Sequence, residues 1–227
     1  YLVVFHNQTT YAIEGQLVNP DGSMNGTRFT IGTGANYRYA PRVAYNGANF
    51  LVAWLDSRDS VAGEYAVWGA RVTPTGGVWE ASGFAIDAAL AGWRTAPSVT
   101  ANGTQWGVSY TYQNDGVFAR VNAGGWTEGT SAIGIPGQPI YLTSVASGGG
   151  NYAVAWSQYD GSGSGETNIY VNRFTTAGAA LDGTGDPLTS GASWDDDPSI
   201  SFDGTRFWVG WSDSTTGSLT GVDLKAI

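Results

Sequence analysis

Cysteine is absent from all 227 residues, which removes disulfides, thiolate nucleophiles and zinc–thiolate centres from consideration. Lysine occurs once, as Lys225, and histidine once, as His6. Charged residues make up 13% of the chain and the formal net charge is −9. An acidic surface without a basic cluster repels nucleic acid and anionic membranes rather than steering them in. No apolar run approaches the ~18 residues that a membrane-spanning helix needs. Neither an initiator methionine nor a signal peptide stands at Tyr1, so the sequence reads as a mature product or an excised domain. The missing thiols fit a bacterial exported protein.

The chain is rich in the opposite kind of residue. Its 34 glycines, 12 tyrosines and 10 tryptophans suit short strands joined by tight turns. Four segments share one pattern, a turn glycine followed by an aromatic three residues on and a second aromatic four beyond that. They are Pro41-Arg-Val-Ala-Tyr-Asn-Gly47 with Phe50 and Trp54; Pro97-Ser-Val-Thr-Ala-Asn-Gly103 with Trp106 and Tyr110; the stretch Ser144 to Gly149 with Tyr152 and Trp156; and Pro198-Ser-Ile-Ser-Phe-Asp-Gly204 with Phe207 and Trp211. The residues from Tyr1 to Phe5 supply a fifth copy without its first strand.

Each unit reads as four strands, A to D. Strand A ends in Asn-Gly or Asp-Gly, a hairpin signal because both positions tolerate positive φ. Strand B carries bulky residues on one face, as Phe50, Val52 and Trp54 do, and smaller ones on the other in most units, as Gly107, Ser109 and Thr111 do. A sheet covered on both faces, large against small, is what radially stacked blades require. The expectation is an all-β propeller of about five four-stranded blades, its first and last repeats incomplete. It would form one domain with repeats at approximately 1–40, 41–96, 97–143, 144–197 and 198–227. A sandwich or a solenoid is the lesser alternative.

The pattern Pro-x-Val-Ala-x-Asn-Gly-x-x-aromatic-x-Val-x-Trp, with a following Gly-x-Arg-Val strand, resembles the tandem propeller repeats of large secreted or surface proteins of bacteria. The resemblance implies the fold and an extracellular or cell-surface setting, and little about activity, because propellers host many functions.

Variation in loop length falls on one rim, made by the B–C and D–A connections, where propellers present binding surfaces. The D–A connections carry Tyr37-Arg38, Trp93-Arg94 and Trp194-Asp195-Asp196-Asp197, with Pro139-Ile140 in the third position. The B–C loops add His6, Asn7, Asp56, Arg58, Asp59, Asn114, Asp115, Tyr159, Asp160 and Asp213. An aromatic face beside a planar or charged hydrogen-bonding group suits a sugar ring. Tyr37, Arg38, Trp93, Arg94, Trp194 and Asp195 are therefore the candidate ligand-binding residues. Two readings stand side by side: these aromatics stack on a ligand, or they wedge between blades.

Catalytic signals are weak. Strand A, taken from its proline, offers no carboxylate before its turn, whereas propeller glycosidases need two or more near the axis. No nucleophile elbow, phosphate loop or zinc motif occurs. No metal or other cofactor is called for; the aspartates 195–197 and the loop from Asp160 to Glu166 are the candidates for a structural calcium, and neither has the spacing of a defined calcium loop. The functional expectation is a non-catalytic extracellular binding or adhesion module that takes a glycan or another surface protein, with no nucleic-acid partner and no membrane insertion. The alternatives are a self-associating subunit of a surface or filamentous assembly, or part of a longer chain, and a propeller glycoside hydrolase.

Overall fold

A computed structural model describes residues 1–58, 64–87, 92–159, 161, 165–191, 193–214 and 227, and the backbone of 221–226. The protein is an all-β propeller of five blades laid out in chain order. Blade 1 holds β1 (Leu2–His6), β2 (Ile13–Val18) and β3 (Met24–Gly32). Blade 2 holds β4 (Arg38–Tyr45), β5 (Phe50–Asp56), β6 (Ala66–Val72) and β7 (Phe84–Asp87). Blade 3 holds β8 (Ser98–Asn102), β9 (Gln105–Tyr112), β10 (Asp115–Val121) and β11 (Thr127–Ile133). Blade 4 holds β12 (Ile140–Gly148), β13 (Asn151–Tyr159), β14 (Thr167–Phe174) and the two-residue β15 (Asp186–Pro187). Blade 5 holds β16 (Trp194–Phe202), β17 (Phe207–Ser214) and β18 (Gly221–Ala226). Within each blade, sequential strands pair antiparallel.

One packing rule repeats between blades. The bulky face of each B strand lies on the opposite face of the preceding blade. Val52 and Trp54 of β5 pack on Leu2, Ile13 and Ile31; Trp106, Val108 and Tyr110 of β9 pack on Leu51, Ala53 and Leu55. Tyr152 lies against Phe118, where Gly107 leaves room. Phe207, Val209 and Trp211 pack on Ala153 and Ala155. The mid-strand aromatics Trp54, Tyr110, Trp156 and Trp211 are all buried, and burial of rings this large supplies much of the apolar driving force.

The rim of A–B and C–D turns is tied together by repeated polar links. Asn46 Nδ2 donates to the Thr104 carbonyl and Asn102 Nδ2 to the Asn151 carbonyl of the next blade. The arginine of the Gly-x-Arg-Val strand has the same structural task. Arg71 pairs with Glu80 and Arg173 with Asp182, while Arg71 and Arg120 also reach carbonyls in the following blade's C–D turn, at Ala123 and Thr176. That rim is committed to the scaffold, and the opposite rim carries the variable loops.

The A strands begin earlier than their prolines suggest. In β4 and β16 a register shift precedes the proline, and the residue before it, Ala40 or Asp197, has φ of 51°. The extra residue of such a bulge breaks the alternation of side chains. β16 therefore includes Asp195, Asp196 and Asp197, so strand A does carry carboxylates ahead of its turn. The described residues contain no helix, and none that could cross a membrane.

Candidate functional site

The D–A residues singled out in the sequence occupy one equivalent place in successive blades. Tyr37, Trp93, Pro139 and Trp194 each lie across from the residue that closes strand B. Tyr37 is bonded twice to Ser57, its N–H donating to the Ser57 hydroxyl and its carbonyl accepting from the Ser57 N–H. The Trp93 carbonyl accepts from Gln113 N–H and that of Pro139 from Tyr159 N–H. Trp194 pairs with Ser214.

Because successive side chains of an extended chain point to opposite sides, each aromatic and its neighbour part ways. Tyr37, Trp93 and Trp194 are 54%, 71% and 56% exposed, whereas Arg38, Arg94 and Asp195 are buried. Exposed rings of this size do not fill an inter-blade seam, so the wedge reading does not describe them. Tyr11 joins Tyr37 edge to face, with ring centroids 4.5 Å apart. Sequence reasoning passed over Tyr11, whose only signal is an aromatic in a B–C loop; its φ of 55° is visible only in the fold.

The polar partners are engaged inside the blades. Arg38 Nε pairs with Asp56 Oδ2 at 2.8 Å, and its Nη1 donates to the carbonyls of Gly34 and Asn36. Asp56 also accepts from the Trp54 indole and from Arg58. Burial by itself would raise the Asp56 carboxyl, but the Arg58 and Trp54 hydrogen bonds and the Arg38 charge hold it below its ordinary value. Burial also lowers the Arg38 guanidinium. Arg94 Nε donates to Asp87 at 2.8 Å, and its guanidinium stacks 4.7 Å from the Tyr112 ring centroid. The Asp195 carbonyl accepts from Thr167 Oγ1. The two members of each pair therefore do not face a ligand together: the aromatics alone present to solvent, on an anchored backbone.

The remaining rim candidates sort in the same way. Asn7 organises its own loop, its Oδ1 accepting from the N–H groups of Thr9 and Thr10. His6 is exposed at the end of β1. Arg58 lies over the Trp68 ring at 3.8 Å. The Asn114 carbonyl accepts from Ile140 N–H, and Asp115 is exposed at the start of β10. Asp213 pairs with Asp195 across β16 and β17. Asp59 and Asp160 lie outside the described residues, as does part of the loop to Glu166. Among the described residues, no three carboxylate or imidazole groups converge on a point where a metal ion would sit.

The inner strands form an open pocket of about 240 Å³ at the propeller axis, where Arg42, Ser98, Thr143, Ser144 and Asp197 line it together with Ala96, Pro97, Leu142 and Pro198. The residue just before the strand-A proline or its equivalent is Ala40, Ala96, Leu142 and Asp197 in turn, so blade 5 alone brings a carboxylate to this layer. Asp197 is exposed to the pocket and its neighbour Asp196 accepts from the Ser157 hydroxyl at 2.7 Å. The site thus combines an axial carboxylate and guanidinium with aromatics on the surrounding rim.

No protein-family model and no curated protein matches the sequence. Solved structures do. An exo-1,5-alpha-L-arabinanase from a bovine ruminal metagenomic library superposes with a TM-score of 0.56 at 10% identity, over 100% of this chain and 88% of that one. The propeller domain of the Trilobed protease from Pyrococcus furiosus, described as having an open velcro topology, gives a TM-score of 0.56 at 10% identity. That match covers 99% of this chain and 64% of the other. At this identity the likeness establishes the propeller fold. Two expectations, a non-catalytic binding or adhesion module and a chain without enzymatic activity, are corrected to this extent: a propeller that superposes on the whole of this chain is an arabinanase, so the fold gives those expectations no support.

Proposed function

We propose that this chain is a glycoside hydrolase of propeller fold that acts outside the cell on a polysaccharide. The observation that carries the reading is the carboxylate of Asp197 in the axial pocket beneath a rim of exposed aromatics. The end-to-end likeness to an arabinanase supports it.

Glycoside hydrolysis uses two carboxyl groups, one to protonate the leaving oxygen and one to act as base or nucleophile. Asp197 is assigned as one of them, at the mouth of the axis. Arg42 and the hydroxyls of Ser98, Thr143 and Ser144 supply hydrogen bonds to sugar hydroxyls. Tyr37 with Tyr11, Trp93 and Trp194 offer flat apolar faces for pyranose or furanose rings as the chain crosses the rim.

The test is release of reducing ends from a panel of plant and bacterial polysaccharides, 1,5-arabinan included, by the wild-type chain and by Asp197→Asn. Hydrolysis that falls at least ~100-fold in the variant, with folding unchanged, is the expected result for loss of a catalytic carboxylate. Turnover that Asp197→Asn leaves intact removes Asp197 from the role. No turnover on any polysaccharide overturns the hydrolase reading.

A further inference from the structure

The rim of A–B and C–D turns carries two large side chains that its polar links do not use. Trp79 stands in the C–D connection of blade 2 and Trp126 in that of blade 3, and they are 54% and 71% exposed. Both blades have all four strands, and this rim lies opposite the D–A connections.

Both connections are rigid mounts. In blade 2 the Thr73 N–H donates to the Gly77 carbonyl, the Gly76 N–H to the Thr73 carbonyl and the Trp79 N–H to the Arg71 carbonyl. In blade 3 the Asn122 N–H donates to the Trp126 carbonyl at 3.0 Å, and the Trp126 N–H donates back to Asn122 Oδ1 at 3.2 Å. One guanidinium joins the two. Arg71 lies 4.2 Å from the Trp79 ring centroid and donates to the Ala123 carbonyl of the other turn. A Cβ at Gly125, the residue before Trp126, would lie 2.8 Å from Arg71 Nε. The guanidinium is thus held between one indole and the backbone that carries the other, so the two rings keep a fixed relation across the seam.

Shielding of Arg71 explains only part of this arrangement. In blade 4 Leu181 takes the place of Trp79, its N–H donating to the Arg173 carbonyl, and the Arg173 side chain is 49% exposed where that of Arg71 is 11% exposed. Trp79 therefore covers its arginine better than a leucine does, yet over half of it still meets solvent. Among the described residues no cation stacks on Trp126. Its ring lies over Gly124, where a Cβ would come within 2.9 Å of it, and the remainder is open.

We infer from this pair a second carbohydrate site, on the turn rim, that binds a neutral polysaccharide apart from the axial pocket. Each indole takes the C–H face of a sugar ring, while Glu80, Asn122 and Glu128 beside the rings meet hydroxyls. Acidic groups at the site and a net charge of −9 turn away polyanionic glycans. A protein partner would ask for more, since a stable interface takes about 20–30 residues a side around an apolar core, and polar groups border these two rings. Rings fixed in advance lose little freedom on binding, and two footholds on one polymer raise affinity through effective concentration. The inference goes beyond the axial site and does not need Asp197 to be catalytic.

Affinity electrophoresis in native gels that contain 1,5-arabinan, xylan, galactan or starch tests it without reading turnover. Wild type should be retarded in at least one gel, and Trp126→Ala and Trp79→Leu should each bind at least ~10-fold more weakly. Leucine is the residue that blade 4 accepts at this place, so Trp79→Leu removes the stacking face and keeps the fold. A Trp93→Ala/Trp194→Ala chain, without those rings of the other rim, should keep the retardation that these two substitutions remove. No retardation of wild type in any gel overturns the proposal, as does retardation that Trp79→Leu and Trp126→Ala leave unchanged. Dimerisation in sedimentation that both substitutions abolish also overturns it, because the rings would then serve a contact between copies. A chain that is retarded yet releases no reducing ends loses the hydrolase reading and keeps this one; a chain that releases them without being retarded does the reverse.

Discussion

The indole N–H of Trp54 donates to Asp56 Oδ2 at 3.0 Å, two residues along the same strand and on the same side of it. Trp156 and Gln158 repeat the contact in blade 4 at the same distance. In blade 2 the acceptor is charged, and Arg38 from the start of the inner strand completes it at 2.8 Å. A core tryptophan thereby fixes the group that anchors the D–A connection, and that connection presents Tyr37.

Removing one member of a buried ion pair strands the other. We expect Asp56→Ala to destabilise the chain by about 3–5 kcal/mol, because Arg38 is left buried and the Trp54 N–H loses its acceptor. The double variant Arg38→Ala/Asp56→Ala should be less destabilised than the sum of the two single variants. Urea denaturation of all three checks this; additive losses would mean that the pair is not coupled.

The blades and their interlocking faces were legible because the same glycine and aromatic offsets recur in four units and because large and small residues alternate along strand B. The inner-strand carboxylates were not. A proline reads as the first residue of a strand, yet Ala40 and Asp197 continue the strand upstream through a bulge with positive φ. A bulge hides from an alternation argument, and so Asp197 was missed at the axis. The rim aromatics and their polar neighbours were read as facing one ligand together, and in the structure they part. Adjacent residues in extended backbone cannot share a face, so Arg38, Arg94 and Asp195 turned inward as Tyr37, Trp93 and Trp194 turned out.

That division gives opposite expectations for neighbouring residues. Trp93→Ala removes an exposed ring and should change stability by no more than about 0.5 kcal/mol, while raising KM for a polysaccharide about tenfold through lost stacking. Arg94→Ala should cost stability, because Asp87 and the carbonyls of Tyr65 and Gly92 lose their donor. Thermal unfolding and steady-state kinetics on both variants separate the roles. A large stability loss in Trp93→Ala would return that ring to a structural part.

Asp203 sets an acid dependence. Its carboxylate accepts from the Trp208 indole at 2.7 Å and from the N–H groups of Arg206 and Thr205. These bonds, the indole first, hold its pKa down to about 2. A carboxyl lowered on folding contributes stability above its unfolded pKa of about 4 and loses it as pH falls toward the folded value. The Tm advantage of wild type over Asp203→Asn should therefore be full at pH 6 and shrink between about pH 4 and 2. An advantage that stays constant across that window would contradict the assignment.

Gly107 tests the inter-blade rule at its tightest point. A Cβ there would lie 2.8 Å from the Tyr152 ring and 2.9 Å from that of Phe118. Phe118 is in turn packed on Phe174, with centroids 4.9 Å apart, so neither ring has space to withdraw. Blade 2 has Leu51 at the equivalent position and accommodates it against the following blade, which shows that side-chain volume is permitted when its partner differs. Overpacking a close-fitted core typically costs about 1–3 kcal/mol, and Gly107→Val should fall in that range. Tyr152→Leu should recover part of the loss when combined with it, giving a coupling of about 0.5 kcal/mol or more in a double-mutant cycle. Urea titrations of the three variants measure it. Coupling indistinguishable from zero would mean that the blades do not interlock through this pair, and the large-against-small account of the seam would fail there.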